Sequence, residues 1–540
     1  MVNSGKIFIK EIQYFYNAEV AERTNAPALR AGSPLGSLGS NPNLGAFWNI
    51  VKVFKYTYLL YKGVKMRLAE HPILEFEKKR GKKIKFTYNG REIECYENET
   101  IASALHAAGI RVLSKSSKLL RPRGFYCAIG KCASCIMTVD GVPNVRSCIT
   151  LVREGMKVES QEGLASLQDL NPIKGKKEKI ETEIAIVGGG PAGLSAALEA
   201  AKYNRVLLID ENHTLGGQLI KQTHKFFGSR KEKASTRGIK IAEELCKEVM
   251  ENENIEVLLN SSVIGYYNEN EYNLAAVKNN DTLVKIKTEK IIVSTGASEN
   301  TLVFENNDLP GIYGAGAVQT LMNVYGVKPG DKVLMVGAGN VGLIVSYQLL
   351  QAGVDVVCVV EALPEIGGYN VHAAKLRRCG VPILTKHSIL RAYGDERVRG
   401  ATIVKLDENW KPVKGTERDI DVDVICLAVG LSPSIELLRQ MGCSTKYIPE
   451  LGGNVVIHNK YLETEITGVY VAGDCSGIGE ASTAMLEGKI AGLSAVLSMR
   501  RDEEIERRRE ELMKELEELR RGPFGERPRI GKEKLFRAVR

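Results

Sequence analysis

The chain has 540 residues, 44% of them hydrophobic and 26% charged, with a formal net charge of +9. Such a length suits three or four domains and such a composition a globular chain. No apolar run reaches the ~18–20 residues of a membrane span; the nearest, Ala46–Tyr61, is broken by Lys52 and Lys55.

The charge sits at the ends: residues 1–65 hold +5 and residues 501–540 hold +2. A near-neutral body excludes a nucleic-acid groove. Eleven cysteines, four of them between 127 and 148, do not make the even disulfide framework of a small secreted domain. They fit reduced thiols in a cytoplasmic protein with one clustered metal site.

In chain order, residues 1–65 read as an extension, disordered or non-native. Asn25–Asn43 is rich in Pro, Gly, Ser and Asn and has no apolar period, and Met66 opens the patterned region. Ile84–Tyr96 reads as a hairpin about Asn89-Gly90. Thr100–Ala108 reads as a short helix with Asn98 or Thr100 as its cap. A cysteine loop follows, then the strand Ile136–Val139 and a turn at Asp140-Gly141. Residues 66–170 therefore make a small α+β module. Asn171–Lys179, with its Pro, Gly and lysines, reads as a linker.

From Ile180 the pattern becomes β-α-β. Ile184–Val187 leads through glycines to the helix Ala192–Tyr203 and the strand Val206–Ile209. The unit repeats as Val333–Val336, glycines, Val341–Ala352 and Val354–Val360. Gly188 to Asp210 is 22 residues and Gly337 to Glu361 is 24, and each acid is followed six residues later by a Gly-Gly pair. Arg501–Arg521 reads as a charged helix with a packing stripe of Ile505, Leu512, Leu516 and Leu519.

Three motifs carry chemistry. Cys127-x4-Cys132-x2-Cys135, with Cys148 further on, has the plant-type [2Fe-2S] spacing. Small residues between the ligands let backbone amides approach the sulfurs. Four buried thiols or a zinc site are the alternatives. Gly188-Gly189-Gly190-Pro191-Ala192-Gly193 is a dinucleotide fingerprint: Gly188 for the turn, Gly190 for the pyrophosphate at a helix N-terminus, Gly193 for packing, and Asp210 for the ribose. Gly337-Ala338-Gly339-Asn340-Val341-Gly342 repeats it, with Glu361 in the acid position. A carboxylate there repels a ribose 2′-phosphate, which favours NAD(H) over NADP(H). A duplicated turn that has lost its ligand is the alternative. No Ser/His/Asp or Cys/His constellation stands out, and no catalytic side chain is assigned, as suits chemistry carried by cofactors. Cys475 could face a flavin or be a buried structural thiol.

The order of cluster module, glycine turn, second glycine turn and Gly473-Asp474 resembles the flavoproteins with two dinucleotide-binding domains. It is most similar to the large subunits of amino-acid-oxidising complexes: the α subunits of dye-linked L-proline dehydrogenase and sarcosine oxidase, and the hydrogen cyanide synthase and opine oxidase components. The match is carried by Arg121–Gly124, Gly141–Cys148, Leu215–Gln218, Asp308–Gly316 and Leu486–Gly492.

The resemblance implies an α/β fold with two Rossmann-like domains, the NAD domain (326–414) inserted in the FAD domain (171–325 and 415–500). A ferredoxin-like [2Fe-2S] domain precedes them and a charged helix and tail (501–540) follow. It implies that Cys127, Cys132, Cys135 and Cys148 hold the cluster. Gly188, Gly190, Pro191, Ala192, Gly193, Asp210, Glu211, Gly217, Gln218, Gly296, Gly473 and Asp474 would hold FAD, or another adenine nucleotide such as ATP. Gly337, Gly339, Asn340, Val341, Gly342 and Glu361 would hold NAD(H).

It further implies a hetero-oligomer: an amine-oxidising flavoprotein β subunit, small ferredoxin-like subunits, and FMN at a subunit interface, with at most peripheral membrane association. The cluster cysteines and an end soon after the nucleotide fold lean toward the proline dehydrogenase branch. Two other functions fit the same motifs: a free-standing NADH:ferredoxin or NADH:acceptor oxidoreductase, and a scaffold subunit with vestigial nucleotide sites.

Overall fold

The computed structural model describes residues 66–165, 175–225, 230–268, 270–522 and 525–537. The extension read at 1–65 lies outside them, as does the linker as far as residue 174.

The N-terminal module is a seven-stranded sheet. Lys83–Tyr88 and Arg91–Tyr96 form a hairpin whose turn residues Asn89 and Gly90 both have positive φ, 47° and 77°, as a type I′ turn requires. Lys157–Glu162 pairs in parallel with the first of these strands and antiparallel with Ile136–Val139. The helix Ile101–Ala107 opens on Thr100, whose side chain accepts from the Ser103 amide while the Ser103 hydroxyl accepts from the Thr100 amide. This reciprocal cap satisfies two orphan donors at once.

The second sheet runs Ile255–Leu258, Val206–Ile209, Lys176–Val187, Thr282–Val293, Leu274–Lys278, Ser261–Tyr266, with Val469–Val471 also paired to Thr282–Val293. Its central strands are parallel. Their apolar ends Ile184–Val187, Val206–Ile209 and Ile291–Val293 are buried on both faces, under helices on one side and mostly under other strands on the other. Lys176–Lys179, expected in a linker, are strand. They lie in parallel register against Thr282–Lys285, and Glu178 meets Lys278 at 3.2 Å. Pairing with a long neighbour decides this segment, and its lysines stay on the exposed edge.

The third sheet is parallel, ordered Ile312–Gly314, Val424–Leu427, Lys332–Val336, Asp355–Glu361, Ile383–Thr385. It takes in strands on both sides of 326–414, so the second nucleotide unit is wider than expected. The reason is burial: Val424–Leu427 is completely covered and pairs residue for residue with Val333–Val336.

Two packing features place the site. Met137 and Phe125 of the cluster module share one apolar core with Tyr313, Met335 and Leu343 of the second nucleotide unit. The helix Ala481–Leu497 lies tightly across Pro191–Ala200, since a Cβ on Gly488 would come within 2.0 Å of the Ala192 carbonyl and one on Gly492 within 2.7 Å of that of Ala196. The charged helix Glu503–Arg521 buries Ile505, Leu512 and Leu516, and a second helix, Glu526–Phe536, follows it. Among the described residues no helix is long and apolar enough to cross a membrane.

Candidate functional site

The cysteine loop folds so that its sulfurs meet. Cys127 lies within hydrogen-bonding reach of Cys132 and Cys148, and Cys135 of Cys148. Hydrogen bonds from Cys132 and Cys148 pull the Cys127 thiol well below its ordinary value, and Cys148 likewise lowers Cys135. The donors Cys132 and Cys148 are correspondingly raised by the same bonds. Ala128, Gly130 and Ala133 all take positive φ (57°, 70°, 54°), which curls the chain around the sulfurs, and the Ser134 amide points at Cys132 Sγ at 3.4 Å. Cys127, Cys135 and Cys148 are buried, and Cys132 is exposed.

Among the described residues no group of three or more His, Cys, Asp or Glu is arranged to hold a single metal ion. Four thiols at this spacing, with an amide aimed at one sulfur, suit a two-iron cluster, which the four cysteines would hold.

The first glycine turn sits at the end of the second sheet's central strand. The helix Pro191–Ala200 starts with proline at its first position and has no side-chain cap on Gly190, so its first amides remain free to meet an anion. A Cβ on Gly193 would lie 1.8 Å from the Gly188 carbonyl, so only glycine packs there. Asp210, buried at the tip of Val206–Ile209, accepts from the Gly189 amide at 2.6 Å and from the Asn212 amide at 2.8 Å. Burial raises its carboxyl against these bonds. Gly217 crosses the mouth of the turn, its Cβ position 2.7 Å from Gly190 Cα.

The second turn repeats this bond for bond. Glu361 accepts from the Ala338 amide at 2.7 Å and the Leu363 amide at 3.0 Å. Gly339 caps Asn340–Gln351 without a side-chain bond, a Cβ on Gly342 would meet the Gly337 carbonyl at 2.1 Å, and Gly368 covers the turn as Gly217 does the first. A Cβ on Gly339 would meet nothing within 4 Å. That open face is the space a dinucleotide's pyrophosphate needs. Val341 stands exposed beside it, while Asn340 accepts the Tyr369 amide.

Asp474 ends the third element of the site. It follows Gly473, whose Cβ position is 2.8 Å from the Ala192 Cβ, so it lies beside the first helix N-terminus. Burial pushes its carboxyl up to about 6. Cys475 is buried, its sulfur 3.2 Å from the Val293 and Ala472 carbonyls, and is a structural thiol. Gly296 leaves open space on its Cβ side. Glu211 and Gln218 are exposed near the turn.

The cluster loop and the first turn are neighbours. Lys131 bonds Ser434 at 2.9 Å and Glu436 at 2.8 Å, and its charge, like that of Arg146, also acts on Glu211. The Tyr126 carbonyl accepts from the Gly314 amide.

Two groups escaped the sequence reading. Glu299 accepts the Gly316 amide at 2.7 Å, and Lys221 donates to the Gly316 carbonyl at 3.0 Å. Burial pushes Lys221 down to about 8, against the pull of Glu299 and Cys127. Glu487 accepts from the Gly473 amide and Ser476 on one oxygen, and from Arg520 and Lys532 on the other. Only Glu487 had a signal, its place in the Leu486–Gly492 motif.

A ferredoxin-like module and two strand–glycine-turn–helix units define a redox chain that handles dinucleotides. A family model described as pyridine nucleotide-disulphide oxidoreductase matches residues 182–488, and one described as a 2Fe-2S iron-sulfur cluster binding domain matches residues 81–163. The chain belongs to the pyridine nucleotide-disulphide oxidoreductase family and is an oxidoreductase.

The chain is 26% identical over 438 residues to the sarcosine oxidase subunit alpha of Corynebacterium sp. (strain P-1), covering 77% of this chain and 44% of that one. It is 27% identical over 330 residues to the hydrogen cyanide synthase subunit HcnB of Pseudomonas protegens, covering 58% and 70%. It spans less than half the length of the sarcosine oxidase subunits it matches. Among solved structures, L-proline dehydrogenase from P. horikoshii superposes with a TM-score of 0.64 at 29% identity, over 82% of this chain and 79% of that one.

Proposed function

We propose that this chain is the electron-transfer subunit of an amino-acid dehydrogenase complex acting on L-proline, with NADH:acceptor (diaphorase) activity of its own. The observation that carries the reading is the joining, in one chain, of a four-cysteine loop and two glycine turns whose helices present uncapped amides. The likeness to L-proline dehydrogenase over four-fifths of both chains supports the choice of amino acid.

In this reading Cys127, Cys132, Cys135 and Cys148 hold [2Fe-2S]. The first turn, with Asp210 and Asp474, holds FAD or another adenine nucleotide such as ATP, and the second, with Glu361, holds NAD(H). A flavin held at the first turn would supply the exchange between two-electron hydride chemistry at nicotinamide and one-electron transfer to the cluster. The chain's own residues hold phosphates at helix N-termini, orient ribose, and keep the cluster loop against the first site through Lys131 and against the third sheet through Tyr126. A partner flavoprotein subunit oxidises the amine, FMN lies at the interface, and the assembly is a cytoplasmic hetero-oligomer.

Purified chain should show flavin or cluster absorption, and should reduce an artificial dye with NADH but not with L-proline. Oxidation of L-proline by the chain alone would refute the subunit reading. A colourless protein without bound nucleotide would instead favour a scaffold.

A further inference from the structure

Lys221 is a buried cation that the reading above leaves without a role. It is 5% exposed and ends the short helix Gly217–Lys221, which begins where Gly217 crosses the mouth of the first turn. We infer that Lys221, balanced by Glu299, sets the reduction potential of the iron-sulfur cluster from outside its ligand set. The inference rests on the four cysteines holding [2Fe-2S], as proposed above, and names the residues that poise that cluster.

Three observations converge. The first is that the charge of Lys221 is not spent on an ion pair. Among the described residues its ammonium donates to the Gly316 carbonyl at 3.0 Å and the Thr320 hydroxyl at 3.3 Å, both neutral acceptors. A buried cation is costly unless it is compensated, and neutral dipoles compensate it only in part.

The second is where the carboxylate stands. Glu299 accepts the Gly316 amide at 2.7 Å. A Cβ on Gly316 would lie 3.1 Å from Lys221 Nζ and 3.3 Å from Glu299 Oε2, so the two charges flank one glycine.

The third is the route to the sulfurs. A Cβ on Gly314 would collide with the Glu299 carboxylate. The Gly314 amide donates to the Tyr126 carbonyl at 3.1 Å, and Tyr126 directly precedes Cys127. A Cys127 thiolate acts on both charges, favouring the Lys221 ammonium and disfavouring the Glu299 carboxylate. The action is mutual, so both charges act on that sulfur.

Reduction of the cluster by one electron adds one negative charge and breaks no bond. Lys221 stabilises the added charge and Glu299 opposes it, so the cation raises the potential and the carboxylate lowers it. Its helix begins at the first turn and ends in the field of Cys127, so the cation favours passage of electrons from the first site toward iron.

The test is potentiometric titration of the full chain with dithionite, followed by the electron paramagnetic resonance signal of the reduced cluster. Wild type is compared with Lys221→Met, Glu299→Gln and the double variant. Each change leaves Gly316 satisfied: the Thr320 hydroxyl still donates to its carbonyl at 2.8 Å, and the glutamine oxygen still accepts its amide. At a fixed potential Lys221→Met should lower the ratio of reduced to oxidised cluster about tenfold, the scale of one unit charge in a buried setting. For a one-electron couple that is a midpoint lower by about 59 mV. Glu299→Gln should move the midpoint upward, and the double variant should fall between the two. Glu299→Gln alone decides the matter should Lys221→Met not fold. A merely structural pair changes the melting point without moving the midpoints in opposite directions. Unmoved midpoints, or midpoints that move the same way in both single variants, overturn the inference. A chain with no cluster absorption refutes the cluster reading itself, and the inference falls with it.

Discussion

Glu487→Gln is the substitution whose consequence can be worked furthest. Glu487 is 2% exposed. Burial would raise its carboxyl, but Lys532, Arg520 and Ser476 outweigh that and hold it down to about 2. Lys532, equally buried, also donates to Ser476 at 2.9 Å and touches His458 at 3.1 Å.

Glutamine keeps the shape and removes the charge, leaving two cations buried without a counter-ion. Its amide can also serve only one side: an NH2 facing Arg520 and Lys532 meets donors. Breaking such a buried pair costs about 3–5 kcal/mol. The shift of Glu487 from its ordinary value, at about 1.4 kcal/mol per unit, gives about 3 kcal/mol independently.

Both cations come from the last two helices, so the loss should concentrate there. Hydrogen exchange followed by mass spectrometry should show the amides of 503–537 losing protection, along with a melting point lower by about 3–5 °C. Adding Lys532→Met should return part of the loss, since one unpaired cation goes. A penalty under about 1 kcal/mol with unchanged protection in 503–537 would refute the view that this ion cluster fastens the C-terminal helices.

Other expectations follow from single contacts. Gly339→Ala meets nothing within 4 Å, so it should leave the melting point unchanged while weakening NADH binding at least about tenfold by the loss of close approach; calorimetry with NADH checks this. Gly193→Ala, with a Cβ 1.8 Å from the Gly188 carbonyl, should destabilise the first unit by several kcal/mol even in nucleotide-free protein, seen in urea unfolding. Glu361 should make the second site prefer NADH to NADPH at least about tenfold, read as a ratio of dissociation constants. In acid, Glu487 binds fewer protons folded than unfolded, so its contribution is complete above about pH 4.5 and is lost as pH falls toward about 2. Asp474, raised to about 6, acts oppositely: its ionisation costs stability as pH rises from about 4 to 6. Asp474→Asn should flatten that upper limb in pH-dependent melting.

What the sequence made legible was local. Asn89-Gly90 and Asp140-Gly141 name their hairpins because a two-residue turn with positive φ restricts residue choice. The cysteine spacing names its loop, and both fingerprints carry their strand and helix with them. What it hid was settled by partners distant in the chain. Lys176–Lys179 looks like linker until Thr282–Lys285 lies beside it. Val424–Leu427 belongs with Val333–Val336 through backbone pairing, which composition cannot report. Arg520 and Lys532 sit on a helix end and on a helix hidden in a charged tail, and nothing near them in sequence announces Glu487.

The two acids are the instructive case. Their position after the second strand points to ribose, yet Asp210 and Glu361 each spend both oxygens on backbone amides, one of them inside the glycine turn. The amide that a tight turn strands in the interior must be satisfied, and the carboxylate does so before any ligand arrives. Replacing either acid should therefore loosen its own turn in nucleotide-free protein. A fall in nucleotide affinity on substitution does not by itself measure a bond to ribose; only the difference between adenosine and its 2′-deoxy analogue, compared in wild type and variant, isolates that bond.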